Sequence, residues 1–174
     1  MEENYFEIVE VEEKTYWDSP YRLYDDSSLL NELYGNFELF LGGYNLALTI
    51  DRKTGECVSL STLVMALGFF AEQEINITDY KKGKLIYHNN LLKEQAGAHQ
   101  EFIRKFYYDS TKNLLCFGIN DNTCDTVKFE SHTYAKVKSG KLYAIIIEVD
   151  KQIINQLKKI VINSYKKLFK NSLL

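Results

Sequence analysis

Apolar and polar residues alternate along the segment 44–51, which reads Tyr-Asn-Leu-Ala-Leu-Thr-Ile-Asp. A period of two is typical of a strand with one buried face. The glycine pair at 42–43 predicts a tight turn that joins this strand to the apolar positions of 37–41. The turn-forming segment 51–55, which ends in a glycine, predicts a second hairpin to residues 57–60. This part of the chain is therefore predicted to form a three-stranded meander.

Further strand patterns follow, separated by turn-forming segments. They comprise residues 75–77 paired with 85–87, residues 101–108 paired with 113–119, and strands at 127–129, 134–138 and 142–149. Residues 142–147 are apolar on both faces, which is typical of a strand in the centre of a sheet. Residues 61–74 carry apolar positions at helical spacing and predict a short buried helix. We expect residues 91–98 to form a loop or one helical turn.

A helical pattern occupies the C-terminal part of the chain. Asp150 is suited to cap the first turn. Apolar residues then recur every three or four positions, opposite lysines, asparagines and a glutamine: Ile153, Ile154, Leu157, Ile160, Val161, Tyr165 and Leu168. This spacing predicts an amphipathic helix over about 150–170 that packs one apolar stripe on a sheet.

Many strand patterns and one clear helix predict an α+β fold. We expect one largely antiparallel, curved sheet of about seven to nine strands, with the C-terminal helix packed on one face. The sequence divides into an acidic, aromatic part at 1–40, a β-rich part at 41–149 and the helix. No internal repeat and no linker rich in proline, glycine or serine separates these parts. A single domain over residues 1–174 is therefore predicted.

The composition excludes several classes of protein. Of the 174 residues, 45% are hydrophobic and 26% are charged, which is too apolar for a disordered chain. The sequence has no run of about eighteen apolar residues, and its start, Met-Glu-Glu-Asn, lacks the features of a signal peptide. The three cysteines, Cys57, Cys116 and Cys124, cannot all pair with one another. We therefore expect a cytoplasmic protein that does not bind a membrane.

The net charge of −3 hides an uneven distribution. Residues 1–40 hold eleven acidic and two basic residues, residues 41–150 hold thirteen of each, and residues 151–174 hold six lysines and no acidic residue. The three parts therefore carry −9, 0 and +6. Nucleic-acid binding by the whole surface is excluded because it requires a basic face. The acidic N-terminal part instead favours a protein partner with a basic surface.

The sequence lacks the motifs that most enzyme sites require. A glycine-rich phosphate loop, a Gly-x-Ser-x-Gly elbow and a His-x-x-x-His metal pair are all absent. The three histidines, His88, His99 and His132, fall in different predicted elements, and surface positions suit them better than metal binding. No catalytic residue, metal ligand or cofactor is therefore predicted.

The most unusual segment covers residues 15–26, which contain the only tryptophan and the only proline of the chain together with three tyrosines and three aspartates. Large aromatic side chains supply much of the binding energy at protein interfaces, and acidic residues steer a basic partner. The alternative is an ordinary loop whose aromatic residues close one end of the sheet. The predicted protein-binding residues are Tyr16, Trp17, Asp18, Tyr21, Tyr24, Asp25 and Asp26.

This combination of a β-rich domain, an acidic, aromatic surface and no catalytic motif resembles small acidic bacterial immunity proteins, which neutralise a cognate toxin. Phage-encoded inhibitors of bacterial defence have the same general character. The resemblance implies a non-enzymatic inhibitor and transfers no individual residue role. We expect Asp18, Asp25 and Asp26 to replace substrate phosphates against the lysines or arginines of a toxin or nuclease.

Two other classes of function remain open. One is a small-molecule-binding β-domain, in which tyrosines line a cavity enclosed by the curved sheet. The other is an enzyme whose site combines scattered residues such as His88, His99, Glu101 and Asp121. A closed apolar pocket would favour the first, and convergence of two of these four residues in a cleft would favour the second.

Overall fold

The structure, a computed structural model, describes residues 4–12, 22–24, 36–42, 46–63, 71–102, 105–152 and 154–155. These residues form thirteen strands. In chain order they are β1 (Tyr5–Glu10), β2 (Arg22–Tyr24), β3 (Asn36–Leu41), β4 (Leu46–Asp51), β5 (Cys57–Leu63), β6 (Ala71–Glu72), β7 (Lys81–His88), β8 (Gly97–Gln100), β9 (Phe106–Asp109), β10 (Leu114–Gly118), β11 (Asp125–Glu130), β12 (Thr133–Lys138) and β13 (Lys141–Glu148). A 3-10 helix covers Asn90–Lys93.

The strands form two mixed sheets. The larger has eight strands in the order β1-β7-β11-β12-β13-β10-β9-β6, and the smaller has five in the order β2-β5-β4-β3-β8. Most neighbours run antiparallel, whereas β7 with β11, β6 with β9, β2 with β5 and β3 with β8 run parallel. Strand β1 therefore lies at one edge of the larger sheet.

Side chains from both sheets meet in one hydrophobic core. Leu39 and Ile50 reach it from the smaller sheet, and Leu115 and Ile145 reach it from the larger. All four are fully buried. A second cluster lies on the other face of the larger sheet, where Ile75 packs with side chains of β10, β12 and β13. Both faces of the larger sheet are thus partly covered by apolar residues.

Strand β13 is a central strand, which confirms the prediction from its apolar sequence. It pairs with β12 on one side and with β10 on the other. Ile145 and Ile147 belong to the main core, whereas Ala144 and Ile146 belong to the second cluster. Because both of its faces are covered, β13 needs no alternation of apolar and polar residues.

The predicted meander is also confirmed. Strand β3 pairs antiparallel with β4, and β4 pairs antiparallel with β5. Gly55 follows the turn between β4 and β5 and has a φ of +74°. A Cβ atom at this position would come within 2.7 Å of the Tyr87 carbonyl oxygen. Both the turn and the close approach of β7 therefore require glycine. The hairpin of β9 and β10 is confirmed as well.

The predicted α+β fold, one sheet with a C-terminal helix packed on it, is wrong. The structure is mostly β with two mixed sheets, and no helix reaches seven residues within the described ranges. A covering helix is unnecessary for the larger sheet, since the smaller sheet packs on one face and Ile75 on the other. The Ile154 N–H donates to the Asp150 carbonyl at 3.3 Å, but residues 156–174 lie outside the described residues. In the part of the chain that is described, no helix is long and apolar enough to cross a membrane.

Two predictions for residues 61–87 need correction. The segment 61–74 begins and ends in strands, β5 to Leu63 and β6 from Ala71, rather than in a buried helix. Residues 64–70 lie outside the described residues. Strand β7 pairs with β1 and β11, not with residues 75–77. Ile75 instead donates its N–H to Asp109 Oδ2 at 3.0 Å and is held against the second cluster.

Candidate protein-binding surface

The structure describes only a small part of the predicted protein-binding segment. Six of its seven residues lie outside the described residues: Tyr16, Trp17, Asp18, Tyr21, Asp25 and Asp26. Tyr24 ends β2, whose backbone pairs in parallel with β5, opposite Leu63. Residues 22–24 therefore lie at the edge of the smaller sheet, and the role of the segment in binding stays a prediction.

Strand β1 is the best described element of the acidic N-terminal part. It pairs antiparallel with β7 along its whole length, from Tyr5 opposite His88 to Glu10 opposite Gly83. Phe6 points into the core, where its ring lies 5.0 Å from that of Tyr87. Because side chains alternate along a strand, burial of Phe6 places Tyr5 on the opposite, outer face. The core contact thus decides which side chains of β1 remain accessible.

Both faces of β1 carry exposed side chains: Tyr5, Glu7 and Val9 lie on the outer face, and Glu10 and Glu12 lie beyond the buried Phe6 on the other face. Tyr5 is 46% exposed and Val9 is 37% exposed. They are two of the four exposed large hydrophobic residues in the described ranges. The Glu7 side chain is 51% exposed and the Glu10 side chain is 65% exposed. Glu12, just after the strand, is also exposed. We name these five residues the β1 surface.

His88 and Lys81 of β7 contact the β1 surface. The Nε2 atom of His88 lies 2.7 Å from Glu7 Oε2, and its ring stacks on Tyr5 with centroids 4.4 Å apart. Lys81 Nζ lies 3.8 Å from Glu10 Oε2. An exposed ion pair such as Lys81–Glu10 contributes about 0–1 kcal/mol, so a cation from a partner can replace it at low cost. The carboxylates are therefore accessible to a basic ligand.

Three of the four residues proposed for an enzyme site contact other side chains or backbone groups. His88 contacts Glu7, and His99 stacks on Phe40 in the smaller sheet, with centroids 5.1 Å apart. Asp121 Oδ1 accepts hydrogen bonds from the N–H and hydroxyl of Thr123, both at 2.8 Å. The contacts of Asp121 order the turn that contains Thr123. In the residues that the structure describes, no three His, Cys, Asp or Glu side chains could hold a metal ion. Glu101 follows β8 and is exposed.

The third histidine, His132, belongs to a cluster around Glu148. His132 Nδ1 lies 3.6 Å and Lys128 Nζ lies 3.7 Å from Glu148 Oε2. The hydroxyl of Tyr134 donates to Glu148 Oε1. The cluster connects β11, β12 and β13 at their ends, so its contacts stabilise the larger sheet.

Cys116 and Lys136 are buried side chains with unusual pKa values. Cys116 lies opposite Tyr107, and burial raises the pKa of its thiol to about 12. Such a thiol is a core residue rather than a nucleophile. Burial lowers the pKa of Lys136. Its Nζ atom donates to Asn120 Oδ1 at 2.6 Å and to the Asp121 carbonyl at 3.3 Å, which fixes the loop after β10.

Glu38 of β3 is a buried carboxyl group in the smaller sheet. It is only 5% exposed, and its Oε1 atom has no hydrogen-bond partner among the described residues. Burial raises its pKa, and a hydrogen bond from the Thr49 side chain partly opposes this effect. A buried oxygen without a partner is uncommon in native proteins and requires an explanation.

Sequence reasoning missed the β1 surface, although it counted Glu7, Glu10 and Glu12 among the acidic residues. The missed signal is a short run of strand-favouring residues from Tyr5 to Val9, interrupted by one glutamate.

No family model and no curated protein matches this sequence.

Proposed function

We propose that this protein is a non-enzymatic inhibitor that binds another protein and blocks a basic surface of it. The immunity-type role, in which the partner is a toxin or another effector, is the form of this proposal that we favour. A reducing cytoplasm suits the cysteines, since Cys57, Cys116 and Cys124 form no disulfide among the described residues.

The observation that supports this proposal is the pairing of exposed carboxylates with exposed apolar side chains on β1. Glu7 and Glu10 supply negative charge, which attracts a basic partner and accelerates its association. Tyr5 and Val9 supply apolar area that becomes buried on contact. The segment that contains Trp17 and Asp18 extends the same combination of residue types along the chain.

Capture of the partner from the native cell, with charge variants of the full chain, tests this proposal. The test variant combines Glu7→Gln, Glu10→Gln and Glu12→Gln. The matched control combines Glu94→Gln, Glu101→Gln and Asp125→Asn, which are exposed acidic residues elsewhere with the same total charge. We expect the wild type and the control to capture the same protein and the test variant to capture at least about tenfold less. Equal capture by all three proteins would overturn the β1 surface as the site.

A second variant tests the predicted segment in the same assay. It combines Trp17→Ala with Asp18→Asn, Asp25→Asn and Asp26→Asn. We expect capture to fall because an aromatic anchor and three steering charges are removed together. The captured protein must also lose its own activity when wild-type inhibitor is added, and an undiminished activity would contradict the inhibitory role.

Glu38 supports a second candidate function, the binding of a small molecule. An amine or another hydrogen-bond donor on a ligand would satisfy its Oε1 atom, which lacks a partner. Thermal unfolding in the presence of a panel of small amines tests this function. A compound that stabilises the wild type but not Glu38→Gln would support it, and a panel without any such compound would eliminate it for amines.

A further inference from the structure

The backbone of β1 is open along part of its outer edge. The Val11 N–H donates to the Lys82 carbonyl at 3.1 Å, so odd-numbered residues of this segment direct their backbone groups towards β7. Even-numbered residues direct theirs away from β7. The Phe6 N–H accordingly points away from β7 and donates to the Gly140 carbonyl at 2.8 Å. The turn between β12 and β13 thus closes the start of the edge.

Beyond Phe6, the outward backbone groups of Ile8 and Glu10 lack such a partner within the part of the chain that the structure describes. No hydrogen bond from the described residues reaches either N–H group. Each of these residues presents one N–H and one C=O in the plane of the sheet. An edge of this kind can pair with an additional strand. The opening begins where the Gly140 contact ends, so it has a defined position on β1.

The side chains on both sides of this edge favour a basic strand over a second copy of β1. Between Tyr5 and Glu12 the sequence contains three glutamates and no lysine or arginine. Pairing β1 with itself would bring two acidic strands together, and like charges across a strand pair are destabilising. A strand with lysine or arginine at alternate positions places these side chains on one face, where they would meet Glu10 and Glu12 with opposite charge. Val9 and Tyr5 offer contact area to its apolar residues.

We propose that the partner contributes an extended, basic segment that adds to the larger sheet as a strand beside β1. This inference rests on the proposed function and specifies its mode of binding. The added strand bonds to the backbone of Ile8 and Glu10, and the glutamates select for positive charge. Main-chain bonds provide affinity in this mode, and side chains provide specificity.

Amide hydrogen exchange at single residues tests strand addition directly. The probe is a synthetic peptide of alternating lysine and valine, and the control peptide has glutamate in place of lysine. We expect the basic peptide to slow exchange at Ile8 and Glu10 by about tenfold or more, since their N–H groups become hydrogen-bonded. Val9 and Val11 already donate to β7 and should change less. Unchanged exchange at Ile8 and Glu10, or equal slowing by the acidic peptide, would overturn the inference.

Two substitutions at one position separate the backbone from the charge. Glu10→Gln removes the charge and keeps the N–H, whereas Glu10→Pro removes both. Proline is tolerated on an edge strand when its missing N–H faces outward, so Glu10→Pro should fold and melt near the wild type. We expect Glu10→Pro to bind the natural partner at least about tenfold more weakly than Glu10→Gln. Equal binding by the two variants would exclude strand addition.

The two proposals fail in different ways. Suppose that the glutamine triple variant loses its partner, while in the wild type the amide exchange of Ile8 and Glu10 is the same with and without that partner. The acidic surface then stands and strand addition is wrong. If the triple variant captures its partner normally, the proposed site itself is wrong.

Discussion

Acidic residues have opposite roles in two regions of this molecule, the turn between β9 and β10 and the edge strand β1. At the turn, Asp109 is 3% exposed. Its Oδ1 atom accepts three hydrogen bonds, from the Thr111 N–H at 3.0 Å, the Thr111 hydroxyl at 2.6 Å and the Lys112 N–H at 3.0 Å. At the edge, Glu7 and Glu10 are mostly exposed, and each has one described side-chain contact, Glu7 with His88 and Glu10 with Lys81.

The difference separates structural acids from acids that a partner can use. Burial alone would raise the pKa of Asp109, but hydrogen bonds from Thr111, Ile75 and Lys112 outweigh this effect and lower it to about 2. The negative charge of Asp109 therefore stabilises the folded protein. The charges of β1 hold no turn together, which leaves them free to attract another molecule.

Asp109→Asn should produce the largest loss of stability. The amide can keep the three contacts of Oδ1, but its NH₂ group then faces the Ile75 N–H, so a buried donor is left without an acceptor. We expect the free energy of unfolding to fall by about 2–3 kcal/mol, measured by urea denaturation at pH 7. The exposed substitution Asp125→Asn is the matched control and should have an effect below about 0.5 kcal/mol.

The same substitution should change the response to acid. The folded pKa of Asp109, about 2, lies below its ordinary value of 3.8, so its contribution is complete above pH 3.8 and lost as the pH falls towards 2. Wild-type stability should therefore drop by about 2 kcal/mol more than that of Asp109→Asn across this interval. Parallel curves for the two proteins would contradict the structural role of this carboxylate.

Glu38→Gln tests the third kind of acid, one that is buried but incompletely bonded. Because burial raises the pKa of Glu38 above 4.5, the wild type loses stability as the pH rises through the interval between the unfolded and folded values. The neutral glutamine avoids this loss, and we expect a gain of about 1 kcal/mol near pH 7 that disappears below pH 4.5. A variant that is less stable than the wild type at pH 7 would contradict this interpretation.

Neutralising the β1 surface should have the smallest effect on stability. We expect the triple variant of Glu7, Glu10 and Glu12 to unfold within about 0.5 kcal/mol of the wild type, because each glutamate has at most one exposed side-chain partner among the described residues. Thermal and urea unfolding measure this. A loss above about 2 kcal/mol would show that these acids are structural, like Asp109, and would remove the contrast between the regions.

The sequence predicts the hairpins correctly because their turns and alternation are local. The glycine at 55 and the alternation of 46–51 need no information from distant residues. The pairing of β1 with β7 joins residues about eighty positions apart, which local patterns do not specify. Local patterns do not specify the smaller sheet for the same reason. Without that sheet, the predicted C-terminal helix is the only element that could cover the larger one. The sequence shows the glutamates of β1 only as negative charge. The outward position of Glu7 depends on Phe6 entering the core, which the local pattern does not specify.

The association rate between this protein and its captured partner, measured across ionic strength, tests the central claim most directly. If the β1 surface attracts a basic partner, the wild-type rate should fall by about tenfold or more between low and high salt. The triple glutamine variant should associate more slowly at low salt and converge with the wild type at high salt. Rates that are equal for both proteins and independent of salt would contradict the account.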